Sequence, residues 1–342
     1  DSRGASATIC TCLPARRAYS AAALIPLAPL KIMSNSPTVG RTMGASQWAI
    51  LLLLSVLWGG SFYFIAVALT ALPPLTVVTL RVGLATLALL AVMMVMGIKI
   101  PSGPVWRVYL GLGFINIAAP FSLIVWGQTH IPSGLASILN AATPLFGVVI
   151  AHIFTSDEKM TPGRAAGVVI GFSGVAIMVG PEALEGIGTN VMAQLAVLGA
   201  GICYAIGTVY ARLRLKPFGI NPIASAAGQV AGGTVFMLPL ALVIEQPWTL
   251  AMPGMGAWGA VLGLALASTA LAYIFYFKLL ESTGAANILL VTFLIPVTSI
   301  LLGVGLLNEV LLPKHFIGMG IIGLGLAAID GRPYAAFRRR IW

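Results

Sequence analysis

From residue 47 onward the chain alternates apolar runs of about twenty residues with short polar breaks. A run of that length at 1.5 Å per residue matches a hydrocarbon layer of ~30 Å. Between Gln47 and Ile98 the only charge is Arg81, so this stretch holds two spans, divided at Leu72-Pro73-Pro74. Continued to the end, the pattern predicts ten helical segments: 47–69, 74–97, 105–127, 131–154, 163–180, 190–211, 220–244, 256–277, 284–307 and 315–330. The expected fold class is an all-α membrane protein.

Composition agrees, with 59% hydrophobic and only 8% charged residues. Soluble domains carry roughly a quarter charged residues. The net charge of +10 would suit a nucleic-acid partner if the basic residues formed a face, and they do not. With the N-terminus in the cytoplasm, 17 of the 19 Lys and Arg fall on the cytoplasmic side. Lys314 is external and Arg81 lies inside a span. Basic residues are retained on the cytoplasmic side during insertion, so the asymmetry supports both the helix count and cytoplasmic termini in a bacterial inner membrane.

Residues 1–46 form a basic, Ala/Ser/Pro-rich tail whose one acid is Asp1. That is the composition of a transit peptide or of an over-extended start; the second is favoured, with Met33 or Met43 as the start. Residues 331–342 are a second basic tail, expected to be cytoplasmic. Cys10 and Cys12 have no companion ligands, and Cys203 sits in an apolar run, so neither a disulfide framework nor zinc spacing follows.

The two halves of the chain resemble each other. At an offset of 150 residues Gly113 meets Gly263, Ile124 meets Ile274, and SGLASIL at 133–139 meets TGAANIL at 283–289. After small gaps Pro144 corresponds to Pro296, Glu158 to Glu309, Gly167 to Gly318 and Gly174 to Gly325. The repeats are 47–180 and 190–330. Five spans is an odd number, so the second copy must be inverted relative to the first, an arrangement common in secondary transporters.

Several stretches resemble the EamA-type members of the drug/metabolite transporter superfamily. They are VLWGGSF at 56–62, an Arg within the second span, and the run ASILNAATPLFGVVIAHIFTSDEKMTPGRAAGVVIGFSGV at 136–175, which is echoed at 286–326. The resemblance implies ten helices, an inverted five-plus-five repeat, and a central cavity from which amino acids or similar metabolites are usually exported. It carries no particular substrate.

Candidate site residues follow from polarity inside the spans. Arg81 is the one charge well within a span, and such a charge marks a functional site by default; it is expected to face the cavity and hold an anionic group such as a substrate carboxylate. Ser133, Ser137, Asn140 and Pro144 share one helical face. Asn287 takes the position of Ser137 in the second repeat. Thr269, Tyr273 and Tyr276 form a stripe in the eighth segment, where Tyr276 is the counterpart of Trp126. Trp58 with Ser61, and Tyr204 with Thr208, form shorter stripes. Pro144 and Pro296 each free a carbonyl in mid-span, while Glu158 and Glu309 sit at helix ends. The Gly pairs 167/171, 228/232 and 259/263 are expected to serve close packing.

No catalytic motif, cofactor fingerprint or metal cluster is present in the sequence, and the three histidines are scattered. The function expected is a secondary transporter for a small metabolite, neutral or zwitterionic, working by alternating access. Its partners are that substrate and membrane lipid, with no nucleic acid, and a homodimer stays open. The alternatives are a membrane-embedded enzyme or lipid-processing protein, which needs paired acids or a metal cluster, and a passive channel, which needs a polar ring along one axis.

Overall fold

A computed structural model describes residues 43–330 apart from 157, 181–187 and 284. The N-terminal tail, the C-terminal tail from 331 and most of the loop at 181–188 lie outside the described residues. Within them the chain forms ten long helices, two short 3₁₀ turns and no strand. These are α1 (Ala45–Ala68), α2 (Pro74–Val95), α3 (Val105–Gly127), α4 (Ser133–Phe154), α5 (Pro162–Val179), α6 (Thr189–Arg214), α7 (Pro222–Ile244), α8 (Met255–Leu279, continuing to Thr283), α9 (Ala285–Leu307) and α10 (Pro313–Asp330). Nine are long and apolar enough to cross a membrane among the described residues. The exception, α10, carries Lys314, His315 and Asp330 near its ends, which lowers its hydropathy.

Local chemistry sets the ends. α2, α5, α7 and α10 all begin on proline, whose fixed φ suits the first helical position and whose missing N–H costs nothing there. Asn221 caps α7 by accepting from Ile223 N at 2.9 Å. After α9, Asn308 adopts φ 54, and Glu309 N then donates to Gly303 O at 3.0 Å, six residues back. This is the left-handed turn that closes many helices. It also swings the Glu309 side chain back over the bundle.

The principal packing partners are preserved when each helix is exchanged for the one five places later. α1 lies against α9 and α8, and α6 lies against α4 and α3; α2 packs on α8, and α7 on α3. α2 also packs on its own counterpart α7, and α5 on α10. Both of these pairs run antiparallel. Thr86 Oγ1 meets Thr234 Oγ1 at 3.0 Å, whereas the first turn of α2 meets Glu245, just beyond the end of α7. Repeat-equivalent helices that pack antiparallel belong to inverted halves.

Glycines make the α5–α10 contact. A Cβ on Gly167 would come within 2.6 Å of Gly325 O, and one on Gly174 within 2.7 Å of Gly318 O. Gly167 corresponds to Gly318 and Gly174 to Gly325, so the two contacts are the same contact seen from either repeat. Gly228 and Gly232 lie against Tyr109 of α3. The 259/263 pair divides: Gly263 packs on Phe64, and Gly259 has open space beside it.

Gly325→Ala should therefore lower the thermal midpoint in detergent clearly, by the ~1–3 kcal/mol that overpacking costs. Gly320→Ala, where a Cβ meets nothing within 4 Å, should leave it unchanged.

Candidate functional site

Arg81 is the eighth residue of α2 and is 6% exposed. Its Nε donates to Thr269 Oγ1 at 3.0 Å, and its guanidinium carbon lies 3.7 Å from the centroid of the Phe121 ring. Thr269 is presented by a local widening of α8 into a π-helix over Gly263–Leu271. Such segments displace carbonyls from the α-helical ladder and recur at functional sites. There Thr269 Oγ1 donates to Leu264 O at 2.8 Å, five residues back, which leaves its lone pair for Arg81.

The other repeat contains a similar bridge without the charge. α2 begins at Pro74 and α7 at Pro222, so the eighth residue of α7 is Gln229. Gln229 is also buried, and its Oε1 accepts from Asn116 Nδ2 at 3.1 Å. Asn116 lies in the corresponding π-helix of α3, Gly113–Ala118. Each half thus reaches from its second helix to the widened third helix of the other half.

Around Arg81 the expected residues gather in part. Tyr273 lies one turn beyond Thr269, and the Trp58 and Tyr276 rings meet at 5.6 Å between centroids. Trp58, Tyr204, Tyr273 and Tyr276 are half-buried. Trp58 lies on the side of α1 opposite the exposed Leu52 and Val56, and Tyr204 and Thr208 lie opposite Ile202 and Ile206 on α6, roughly 160–240° round in each case. Thr208 is nonetheless exposed.

The hydroxyls are satisfied locally. Ser61 donates to Trp58 O at 2.6 Å, Ser137 to Gly134 O at 2.7 Å and Thr208 to Tyr204 O at 2.8 Å. At Pro144 the helix breaks over residues 141–142, and the freed Asn140 carbonyl accepts from Thr143 Oγ1 at 2.6 Å. Asn140 Oδ1 is buried without a hydrogen-bond partner among the described residues. α9 runs through Pro296 unbroken, and the Asn287 side chain lies outside what the structure describes. Trp126 stands apart from Trp58 and Tyr276. It lines an open groove of about 630 Å³ with Pro74, Leu75 and Glu245, at the start of α2.

Two glutamates cap helices of the first repeat. Glu245 accepts from Leu75 N at 2.8 Å and from Thr76 N at 2.6 Å, capping α2. Glu309 accepts from Ser133 N at 2.7 Å and Gly134 N at 3.0 Å, capping α4. Carboxylates suit helix N-termini, where unpaired N–H groups and the helix dipole converge. Both come from the second repeat and hold helices of the first. Glu158, the counterpart of Glu309, instead pairs with Arg212.

The model of the EamA-like transporter family matches this chain twice, over residues 46–180 and 191–329. The chain belongs to that family. Among its EamA relatives are an uncharacterized transporter of Archaeoglobus fulgidus, 26% identical over 82% of this chain and 97% of its own length, and the uncharacterized inner membrane transporter YedA of Escherichia coli, 27% identical over 79% and 85%. A protein of Streptantibioticus cattleyicolor named a probable terminal-alkyne amino-acid exporter is 26% identical over 83% of this chain and 93% of its own. A crystal structure shares the fold with a TM-score of 0.60 at 18% identity, covering 87% of this chain and 99% of that one.

For this EamA chain, sequence reasoning missed Phe121, Gln229, Asn116 and Glu245. The start of α2 and α7 on proline was the available signal for Gln229, since it sets an offset of 148 residues that the 150-residue alignment of α3 and α8 conceals. Glu309→Gln removes the charge from the α4 N-terminus and one acceptor, which should cost about 1–2 kcal/mol. A lowered thermal midpoint with an unchanged helical signal is the expected result.

Proposed function

We propose that this chain is a secondary transporter that exports a small metabolite, an amino acid or a similar compound, from a bacterial cell by alternating access. The observation that carries the reading is the antiparallel packing of equivalent helices, with each half bridging to the π-helix of the other. Two inverted halves that share one set of contacts have two related ways to open, one to each side of the membrane. The amino-acid exporter among the relatives supports the substrate class and direction.

All ten helices cross the membrane in this proposal, because α10 packs along α5 and an odd count would strand one terminus. Both termini are cytoplasmic. The groove end, held by Glu245 and Glu309, is then external, and Tyr204 and Thr208 lie towards the cytoplasmic side. Arg81, Thr269, Tyr273, Tyr276, Trp58 and Asn140 supply the central site, where aromatic surface with a few polar groups suits a small ligand.

Purified protein in liposomes should show saturable uptake of a labelled amino acid that is accelerated by the same compound on the opposite side. Uptake that rises linearly with concentration and shows no such exchange would indicate a channel. Single cysteines at Thr189 and Arg214 should label from opposite faces of the membrane, and labelling from one face would overturn the arrangement of spans.

A further inference from the structure

We infer that the central site is built for a metabolite bearing a carboxylate, which binds the terminal nitrogens of Arg81; this rests on the transporter reading above. A guanidinium carries five N–H donors in a planar fork. In this structure only the Nε–H is used, on the neutral Thr269 hydroxyl, and the terminal nitrogens make no hydrogen bond among the described residues. The Phe121 ring lies 3.7 Å from the guanidinium carbon and offers the cation no acceptor, so the two terminal nitrogens keep their donors for an in-plane partner. Among the described residues, Glu245 is committed to the α2 N-terminus, Glu309 to that of α4 and Glu158 to Arg212. A cation in a span is costly unless an anion accompanies it.

The repeat supplies an internal control. Gln229 holds the equivalent place in α7 and makes a similar bridge to a π-helix, at a position three residues earlier in it, so a bridge of this kind needs a hydrogen-bonding side chain and no charge. The positive charge of Arg81 is surplus to the architecture and is accounted for by a ligand. Beyond it, Tyr273 and the Trp58–Tyr276 pair offer aromatic surface for the apolar part of the same molecule.

The test compares acids with their amides on the purified full-length protein. The set is leucine, phenylalanine, isocaproate and phenylacetate against leucinamide, phenylalaninamide, isocaproamide and phenylacetamide, read as thermal stabilisation and as flux in liposomes. At least one acid should stabilise the protein while its amide does not. Stabilisation by an amino acid alone identifies a zwitterion site; stabilisation by the simple acids as well identifies a general carboxylate site. Arg81→Gln, which copies Gln229, should fold with a similar midpoint and weaken the acid about 10- to 100-fold, as loss of a charged hydrogen bond does. Amides that stabilise as well as acids, no stabilisation by any acid in the set, or an Arg81→Gln protein with unchanged affinity would each overturn the inference. Should Arg81→Gln fail to fold, the acid-against-amide comparison on the unaltered protein decides alone. Acids that bind through Arg81 without crossing the bilayer would instead sink the transporter reading and leave the anion site standing.

Discussion

A guanidinium placed among apolar helices must be surrounded by protein, and the way this protein surrounds Arg81 involves nearly every feature that distinguishes its bundle. α2 is brought beside α8 so that the side chain can reach Thr269. α8 widens into a π-helix there, which offers a hydroxyl already tied to a carbonyl. α3 contributes Phe121 as a lid on one face of the cation. The terminal nitrogens, which suit a planar anion, have no hydrogen-bond partner among the described residues.

The inverted repeat makes this arrangement intelligible. Duplication gives two second helices and two widened third helices, and antiparallel packing lets each reach across to the other half. Glycines at crossed positions in α5 and α10 allow that contact at backbone distance. Symmetry then fails at chosen places. One bridge carries a charge and the other an amide; α4 breaks at its proline while α9 does not; Glu309 caps a helix while Glu158 pairs with Arg212. Departures of this kind separate the site, and one end of the bundle from the other, on an otherwise repeated frame.

Much of the fold was legible because lipid imposes a length and a polarity on each span. Each of the ten expected segments overlies a helix, and the repeat emerged from SGLASIL and TGAANIL. Arg81 stood out because a lone charge in an apolar run has no innocuous place. The π-helices were invisible, since Gly263–Leu271 differs from an α-helix only in which carbonyl each N–H reaches. Glu245 escaped notice because its partners are backbone N–H groups 170 residues away in sequence. Trp126 and Tyr276 align in sequence yet lie apart, Trp126 on the groove with Glu245 and Tyr276 against Trp58.

The central claim is that Arg81 is a cation awaiting the substrate's anion, and it is tested most directly by an experimental structure of the protein with a transported acid bound. The account predicts the carboxylate in the plane of the guanidinium, about 2.7–2.9 Å from the Arg81 terminal nitrogens, with the remainder of the molecule against Tyr273 and the Trp58–Tyr276 pair. A ligand seated elsewhere, with the Arg81 fork engaged by a carboxylate of the protein itself, would contradict it.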